Sequence, residues 1–189
     1  MKNEPHSSLP EILSVKTVAQ SALFAIQAVD LKFSNGELRT YERFQPSGKS
    51  AVMVLAIDGD DLLMTREYAV GTERYELGFV KGGVDDGEDP MHAANRELKE
   101  EIGFGARDIR LLRHIYTNPS YMRNSMFIFL AQDLYAEKLD GDEPEPLEIV
   151  RFPLAEIEQL CAQPAFCEAR QLAALYTLKD YLNTTNKDK

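Results

Sequence analysis

The sequence predicts an α/β fold with an N-terminal β-hairpin extension, from three observations. A continuous apolar run, Ala51–Ile57, is typical of a central strand buried on both faces. A helical pattern with its own start and stop signals spans Pro90–Ile102. Upstream, Asn35-Gly36 separates two strand-like segments, Phe24–Phe33 and Glu37–Phe44, and Asn-Gly is a strong hairpin signal. With 189 residues the chain is long enough to bury a core.

This hairpin belongs to an N-terminal β element that is predicted to occupy residues 1–46, ahead of a main domain at 47–189. Val29, Leu31 and Phe33 alternate with polar residues, as the residues of a half-buried strand do. A two-stranded hairpin is only marginally stable by itself. We therefore expect it either to join a second copy of the chain or to extend the sheet of its own chain.

The rest of the main domain is predicted to alternate between short strands and helices. The predicted strands are Leu62–Glu67, Tyr75–Leu77, Ile109–Tyr116, Met126–Leu134 and Glu148–Phe152. The predicted C-terminal helices are Leu154–Cys161 and Cys167–Asn183.

The helix predicted over Pro90–Ile102 has a signal at each end. Asp89 is a good N-cap and Pro90 suits the first helical position, while Gly103 is the expected left-handed stop. Apolar residues recur between these ends at helical spacing, at Met91, Ala94, Leu98 and Ile102.

Three carboxylates of this helix, those of Glu97, Glu100 and Glu101, lie at i, i+3 and i+4 and therefore share a face. Like charges at this spacing repel each other, and a bound divalent cation removes that penalty. Hard oxygen ligands suit Mg²⁺ or Mn²⁺ rather than zinc. A glycine-rich segment upstream lets the backbone approach a ligand closely, through Gly78, Gly82, Gly83 and Gly87. The alternative for such a cluster is an acidic, solvated helix face.

The segment Gly82–Phe104 fits the pattern G-x5-E-x7-R-E-U-x-E-E-x-G-U, where U is apolar, at every fixed position. It resembles the Nudix box, the signature of hydrolases that cleave a nucleoside diphosphate linked to another group. The resemblance implies an α/β/α sandwich around a mixed β-sheet.

The resemblance also implies roles for residues of the box. Glu97 and Glu101 are expected to be the main metal ligands, and Glu100 a further ligand or the catalytic base. The backbone carbonyl of Lys81 is expected to join the metal site, and Arg96 to hold a glutamate through an ion pair.

Segments outside the box, including TREYAVGTERYELGFVKGG and NPSYM, resemble the bacterial ADP-compound hydrolases, a branch of the same family. This resemblance covers most of the chain, from Val15 to Leu182. It implies a homodimer to which the N-terminal element contributes, and ADP-linked substrates such as NADH, ADP-ribose and diadenosine polyphosphates.

Candidate substrate-binding residues also follow from the resemblance. Arg66 is expected to bind substrate phosphates, although a surface ion pair is equally typical of such an arginine, and Arg43 is a similar candidate. Glu76 is expected to accept hydrogen bonds from ribose hydroxyls. Tyr121 or Phe79 is a candidate for stacking on adenine, with core packing favoured for Phe79.

The general base is sought in the acidic segment 140–146, which two prolines define as a loop. In related ADP-ribose hydrolases a glutamate of this loop activates the attacking water. Glu143 is the first candidate by position and Glu145 the second. The alternative is that the loop is simply a solvated acidic connection.

A net charge of −10 argues against binding to nucleic acid or to an anionic membrane. An anionic substrate then requires metal ions to neutralise the site. No apolar run is long enough for a membrane span, and two cysteines, Cys161 and Cys167, do not make a disulfide framework, so a cytoplasmic location is expected. The alternative functions are a nucleotide-sugar pyrophosphatase, a non-catalytic nucleotide sensor and an RNA-cap hydrolase.

Overall fold

The structure is a computed structural model that describes residues 8–185. The outer ends of the predicted segments 1–46 and 47–189 therefore lie outside the described residues. The chain forms two compact units, one made of Met1–Gly48 with Tyr116–Asn124 and the other of Lys49–Ile115 with Ser125–Lys189.

The first unit is a three-stranded antiparallel sheet in the order β1-β2-β3. Its strands are β1 (Glu11–Gln20), β2 (Ala25–Lys32) and β3 (Leu38–Phe44). The predicted hairpin is confirmed, since Gly36 adopts a φ of 86° in the turn and its N–H donates to the Phe33 carbonyl at 2.9 Å. Because this sheet is separate from the sheet of the main unit, the expectation that the hairpin extends its own chain's sheet is wrong.

Strand β1 was not predicted, and its pairing with β2 explains why. The register shifts between Ile12 and Ser14 and again between Thr17 and Ala19. Each such bulge adds a residue to one strand and interrupts the two-residue alternation by which a half-buried strand is recognised.

The second unit is built on a seven-stranded mixed sheet. Its path is β10-β5-β4-β9-β8, with β6 paired to β5 and β7 paired to β4. Strands β4 and β9 are parallel, whereas β4 is antiparallel to β5 and β7. The strands are β4 (Ser50–Asp58), β5 (Asp61–Ala69), β6 (Arg74–Gly78), β7 (Val80–Gly83), β8 (Phe104–Tyr116), β9 (Ser125–Ala136) and β10 (Glu148–Pro153).

The helices of this unit are short except at the C-terminus. Helix α1 (Pro90–Glu97) continues as a π-helical turn (Leu98–Ile102), and a 3₁₀ turn (Leu154–Glu156) leads into α2 (Ile157–Leu160) before α3 (Ala169–Thr185). Within residues 8–185, no helix combines the length and the apolar character needed to span a membrane.

Two apolar clusters lie on opposite faces of β4 and confirm the predicted α/β/α sandwich. Alternate residues of β4 point to opposite faces, as the pleat of a strand requires. One face packs on α1 and its π-helical turn through Val52, Val54, Ala56, Ala93, Ala94 and Leu98. The other face packs on α3 through Met53, Leu55, Ile57, Ala174, Leu175 and Leu178.

We call α1 and its π-helical turn, Pro90–Ile102, the box helix. The buried side of this helix is wider than its apolar residues predict. Met91 is 43% exposed, and Ala93 takes a buried position in the first turn instead. Next to the buried Leu98 and Ile102 lie two buried glutamates, Glu97 and Glu101. This part of the core therefore contains carboxylates, which need a structural explanation.

Candidate active site

The box helix begins and ends at the predicted residues. The Asp89 carboxylate accepts a hydrogen bond from the Met91 N–H at 2.9 Å, and Pro90 occupies the first turn. The helix ends at Gly103, which has a left-handed φ of 73°. Its last turn is π-helical, a conformation that often occurs at functional sites.

Glu101 is the most deeply buried acid of this site, with 6% of its surface exposed. Its Oε1 accepts a hydrogen bond from the Lys81 backbone N–H at 3.1 Å, whereas its Oε2 is buried without a hydrogen-bond partner. Burial raises the pKa of Glu101 from 4.5 to about 8. A buried carboxylate oxygen that lacks a partner is costly unless a cation or a proton neutralises it.

Glu97 lies beside it, with 8% of its surface exposed. Burial raises the pKa of Glu97, and the charges of Glu100 and Glu143 add to that effect while Arg96 opposes it. A Cβ at Gly82 would lie 1.9 Å from the Glu97 carboxyl carbon, so only glycine allows β7 to pass this close. Both buried carboxylates are therefore enclosed by the backbone of β7.

Arg96 connects three glutamates of the box. Its guanidinium donates to Glu97 and Glu100, each at 2.8 Å, to Glu88 at 3.0 and 3.1 Å, and to the Gly83 carbonyl at 2.9 Å. These hydrogen bonds, that to Glu88 first, raise the pKa of Arg96, and they lower the pKa of Glu88. The ion pair expected for Arg96 is thus part of a larger network that fixes the loop to the helix.

A cavity of about 670 Å³ opens in front of these carboxylates. We call it the acidic cavity, because the charged side chains that line it are eight carboxylates and two cations. The carboxylates belong to Glu67, Asp85, Glu97, Glu100, Glu101, Asp140, Asp142 and Glu143, and the cations to Lys81 and Arg96.

The oxygen donors of the acidic cavity fit a hard divalent cation. Among these donors, the buried Oε2 of Glu101 has no hydrogen-bond partner and is therefore free to bind such a cation. Within residues 8–185, no three side chains of aspartate, glutamate, histidine or cysteine lie close enough together to hold a metal ion in their present positions. Glu97 and Glu100 both accept hydrogen bonds from Arg96 instead. The residues are therefore adjacent but not arranged around an ion.

The sequence profile described as a NUDIX domain matches residues 48–173. The chain belongs to the Nudix hydrolase family. A second profile, for the N-terminal domain of NudE-type Nudix hydrolases, matches residues 10–43. Both resemblances predicted from the sequence are thereby confirmed.

Individual relatives point to the same branch of the Nudix family. The chain is 54% identical to the ADP compounds hydrolase NudE of Escherichia coli (strain K12), over 92% of this chain and 93% of that protein. It is 27% identical to an ADP-ribose pyrophosphatase of Bacillus subtilis (strain 168), over 88% and 94%. A crystal structure of an ADP compounds hydrolase aligns with a TM-score of 0.92 at 52% identity, covering 96% of this chain and 98% of that chain.

The two candidate bases of the acidic segment 140–146 occupy different surroundings. Glu143 lines the acidic cavity together with Glu97 and Glu101. A Cβ at Gly141 would lie 2.2 Å from an oxygen of Glu143, so the loop folds tightly around this side chain. Glu145 instead accepts a hydrogen bond from the Tyr75 hydroxyl at 2.5 Å.

A smaller cavity of about 250 Å³ contains Glu76 and shares Glu67 and Lys81 with the acidic cavity. Glu76 Oε1 accepts hydrogen bonds from Arg74 and from Thr72, each at 2.8 Å. These bonds, that from Arg74 first, lower the pKa of Glu76. Glu76 is therefore an ionised acceptor that is already partly satisfied.

The remaining candidates are placed as follows. Arg66 donates to Glu148 at 3.0 Å and so forms the surface ion pair that was its alternative. Phe79 is fully buried with its ring centroid 5.6 Å from that of Phe166, so the core packing favoured for this residue is confirmed. Arg43 and Tyr121 belong to the first unit, where Arg43 donates to Gln27 at 3.2 Å and Tyr121 is exposed.

Sequence reasoning missed several acids that line the acidic cavity, among them Glu67. It lies inside the predicted strand Leu62–Glu67, whose apolar part ends at Met64. The change from apolar to charged residues within one strand was the available signal, because functional side chains are common where a rigid element leads into a loop.

Proposed function

We propose that this Nudix hydrolase is a Mg²⁺-dependent pyrophosphatase that hydrolyses ADP-linked compounds to AMP and the other phosphorylated half. The observation that carries the proposal is the buried, partnerless oxygen of Glu101 beside Glu97 in the acidic cavity. The names of two relatives, an ADP compounds hydrolase and an ADP-ribose pyrophosphatase, support the substrate class. ADP-ribose, NADH and diadenosine polyphosphates are the proposed substrates.

Glu97, Glu101 and the Lys81 carbonyl are the proposed metal ligands, with Glu100 as a further ligand. Mg²⁺, or Mn²⁺ as the alternative, supplies polarisation of the phosphoryl oxygens, a lowered pKa of bound water and neutralisation of charge. Glu101 has to lose its proton to act as a ligand, because burial raises its pKa to about 8. Arg96 keeps Glu97 and Glu100 at the loop through hydrogen bonds of 2.8 Å.

Glu143 is the proposed general base that takes the proton from the attacking water. Its position in the wall of the acidic cavity supports this role. Glu145 is the second candidate and Glu100 the third. A hydrogen bond of 2.5 Å from the Tyr75 hydroxyl already occupies an oxygen of Glu145, which lowers its availability for a water molecule.

Arg66 and Arg43 are proposed phosphate ligands, Glu76 a ribose ligand and Tyr121 a stacking residue for adenine. Arg66 is held by a half-exposed ion pair with Glu148, and such pairs are weak enough to open when a phosphate arrives. The smaller cavity around Glu76 is of a size to admit part of a nucleoside.

A homodimer formed through the first unit is also proposed. Its sheet exposes several large apolar residues, among them Ile12, Leu13, Val15, Val18 and Leu38. Clusters of exposed apolar side chains commonly mark protein interfaces. The proposed compartment is the cytoplasm, in keeping with the free thiols of Cys161 and Cys167.

The test is incubation of the purified protein with ADP-ribose, NADH, diadenosine triphosphate and a GDP- or UDP-sugar, with Mg²⁺ and with chelator. We expect Mg²⁺-dependent release of AMP from the adenine compounds and little cleavage of the sugars. Cleavage of the sugars alone would make the protein a nucleotide-sugar pyrophosphatase, and no cleavage of any compound would favour a nucleotide sensor.

A further inference from the structure

The two cations in the wall of the acidic cavity differ in how firmly they are held. Arg96 is bound by Glu88, Glu97, Glu100 and a backbone carbonyl. The Lys81 ammonium is paired with Glu67 alone among the ion pairs of the described residues. Lys81 is therefore the cation that can change partner without breaking a network.

The Lys81–Glu67 pair is partly open to solvent. The Lys81 side chain is 29% exposed and the Glu67 side chain 42% exposed. Ion pairs at this level of exposure contribute little net stability, because water solvates both charges after separation. A ligand that carries several negative charges can therefore compete with one carboxylate for the ammonium.

The pair also lies where two cavities meet. Lys81 and Glu67 both line the acidic cavity of about 670 Å³ and the smaller cavity of about 250 Å³ that contains Glu76. A substrate whose pyrophosphate lies near Glu97 and Glu101 and whose nucleoside extends toward Glu76 would pass this pair.

We propose that the Lys81 ammonium is a substrate-phosphate ligand, which Glu67 holds in place until a phosphate chain displaces the Glu67 carboxylate. The inference rests on the proposed function, since it concerns the phosphates of that substrate. The wall contains seven carboxylates besides that of Glu67, and their charges repel a polyanion. Where metal ions do not neutralise this charge, an ammonium that can change partner is needed to bind the phosphates. The contribution of Lys81 should grow with the number of phosphates, which makes it a determinant of substrate choice.

The test compares Lys81→Met, Glu67→Gln and the double variant with the unmodified enzyme, at saturating Mg²⁺, on ADP-ribose and on diadenosine pentaphosphate. Loss of a charge-assisted hydrogen bond should raise KM for ADP-ribose roughly ten-fold or more in Lys81→Met, and more for the pentaphosphate. Glu67→Gln should lower KM by up to about five-fold, because the ammonium no longer has to leave a carboxylate. In the double variant the decrease in KM caused by Glu67→Gln should disappear, because that decrease depends on the Lys81 ammonium.

Two controls exclude indirect effects. Asp85→Asn removes one negative charge from the same cavity but leaves the Lys81–Glu67 pair intact, so its effect on KM should be equal with and without Lys81→Met. The charge of Lys81 also lowers the pKa of Glu101, so Lys81→Met and the unmodified enzyme are compared at Mg²⁺ concentrations that saturate each protein. A KM for ADP-ribose that equals the unmodified value under those conditions would mean that Lys81 acts only on the metal site, and would overturn the inference.

Dissociation constants measured by calorimetry with Ca²⁺ in place of Mg²⁺ separate the inference from the proposed function. If the unmodified enzyme hydrolyses neither compound, the proposed function fails. If Lys81→Met binds both compounds as tightly as the unmodified enzyme, the inference fails whatever the turnover. It also fails if Lys81→Met and Glu67→Gln change KM in the same direction, because both would then act by breaking a structural ion pair.

Discussion

Replacing Glu101 by glutamine should make the metal-free protein more stable at alkaline pH while it removes the activity. Burial raises the pKa of Glu101 from 4.5 to about 8, so the folded protein favours the protonated acid. The stability that this group contributes is full below pH 4.5 and is lost between pH 4.5 and about 8, because over that interval the unfolded chain ionises whereas the folded protein keeps the proton. Glutamine resembles the protonated acid and does not ionise.

The size of the effect follows from the two pKa values. The interval between 4.5 and about 8, at about 1.4 kcal/mol per pKa unit, corresponds to about 5 kcal/mol of unfolding free energy above pH 8. Water that reaches the carboxylate lowers this amount. At alkaline pH we therefore expect the unfolding free energy of Glu101→Gln to be at least about 2 kcal/mol higher than that of the unmodified protein. This difference corresponds to a Tm that is roughly 5 °C higher.

The assay is thermal unfolding in chelator from about pH 5 to about pH 9, repeated with Mg²⁺. In chelator the Tm of the two proteins should diverge as the pH rises, and the unmodified protein should regain stability with Mg²⁺ whereas Glu101→Gln should not. Asp86 is an exposed acid of the loop between β7 and the box helix. The matched control Asp86→Asn should leave the pH dependence of Tm unchanged. A Tm difference that is constant with pH, or a variant that is less stable at alkaline pH, would refute the reasoning.

Three further predictions concern the remaining residues of the site. Gly82→Ala should cost about 1–3 kcal/mol in urea unfolding and most of the activity, because its Cβ would lie 1.9 Å from the Glu97 carboxyl carbon. Glu143→Gln should lower kcat by about 10²–10⁴ with little change in KM, whereas Glu145→Gln should keep most of kcat, and the reverse pattern in steady-state kinetics would exchange their roles. Arg96→Met should lower the unfolding free energy by about 2 kcal/mol in chelator, and added Mg²⁺ should restore part of this loss. An equal loss with and without Mg²⁺ would contradict the reasoning that Arg96 and the metal ion both neutralise Glu97.

The box helix could be predicted almost completely from the sequence, because local signals determine it. Asp89, Pro90 and Gly103 fix its ends, and the spacing of the glutamates fixes their common face. The burial of Glu97 and Glu101 could not be predicted, since it depends on β7 passing over them. Strand β7 itself was predicted as part of a glycine-rich loop, because Gly82 and Gly83 weaken a strand pattern although they pair with Val52 and Ala51.

Contacts between distant segments account for the other differences. Glu67 and Lys81 form an ion pair across two strands, and no local pattern indicates it. Strand β1 contains two register shifts, which hide its alternation. In each case the deciding information is the tertiary partner.

The parallel pairing of β4 with β9 affects the order in which this enzyme folds. Ser50 pairs with Ser125, so the central pair of the sheet forms only after the intervening chain, including the whole Nudix box, has closed into a loop. Closing long loops before their contacts form slows folding. We therefore expect the β4–β9 pair to form later than the hairpin of β4 and β5, whose strands are adjacent in sequence.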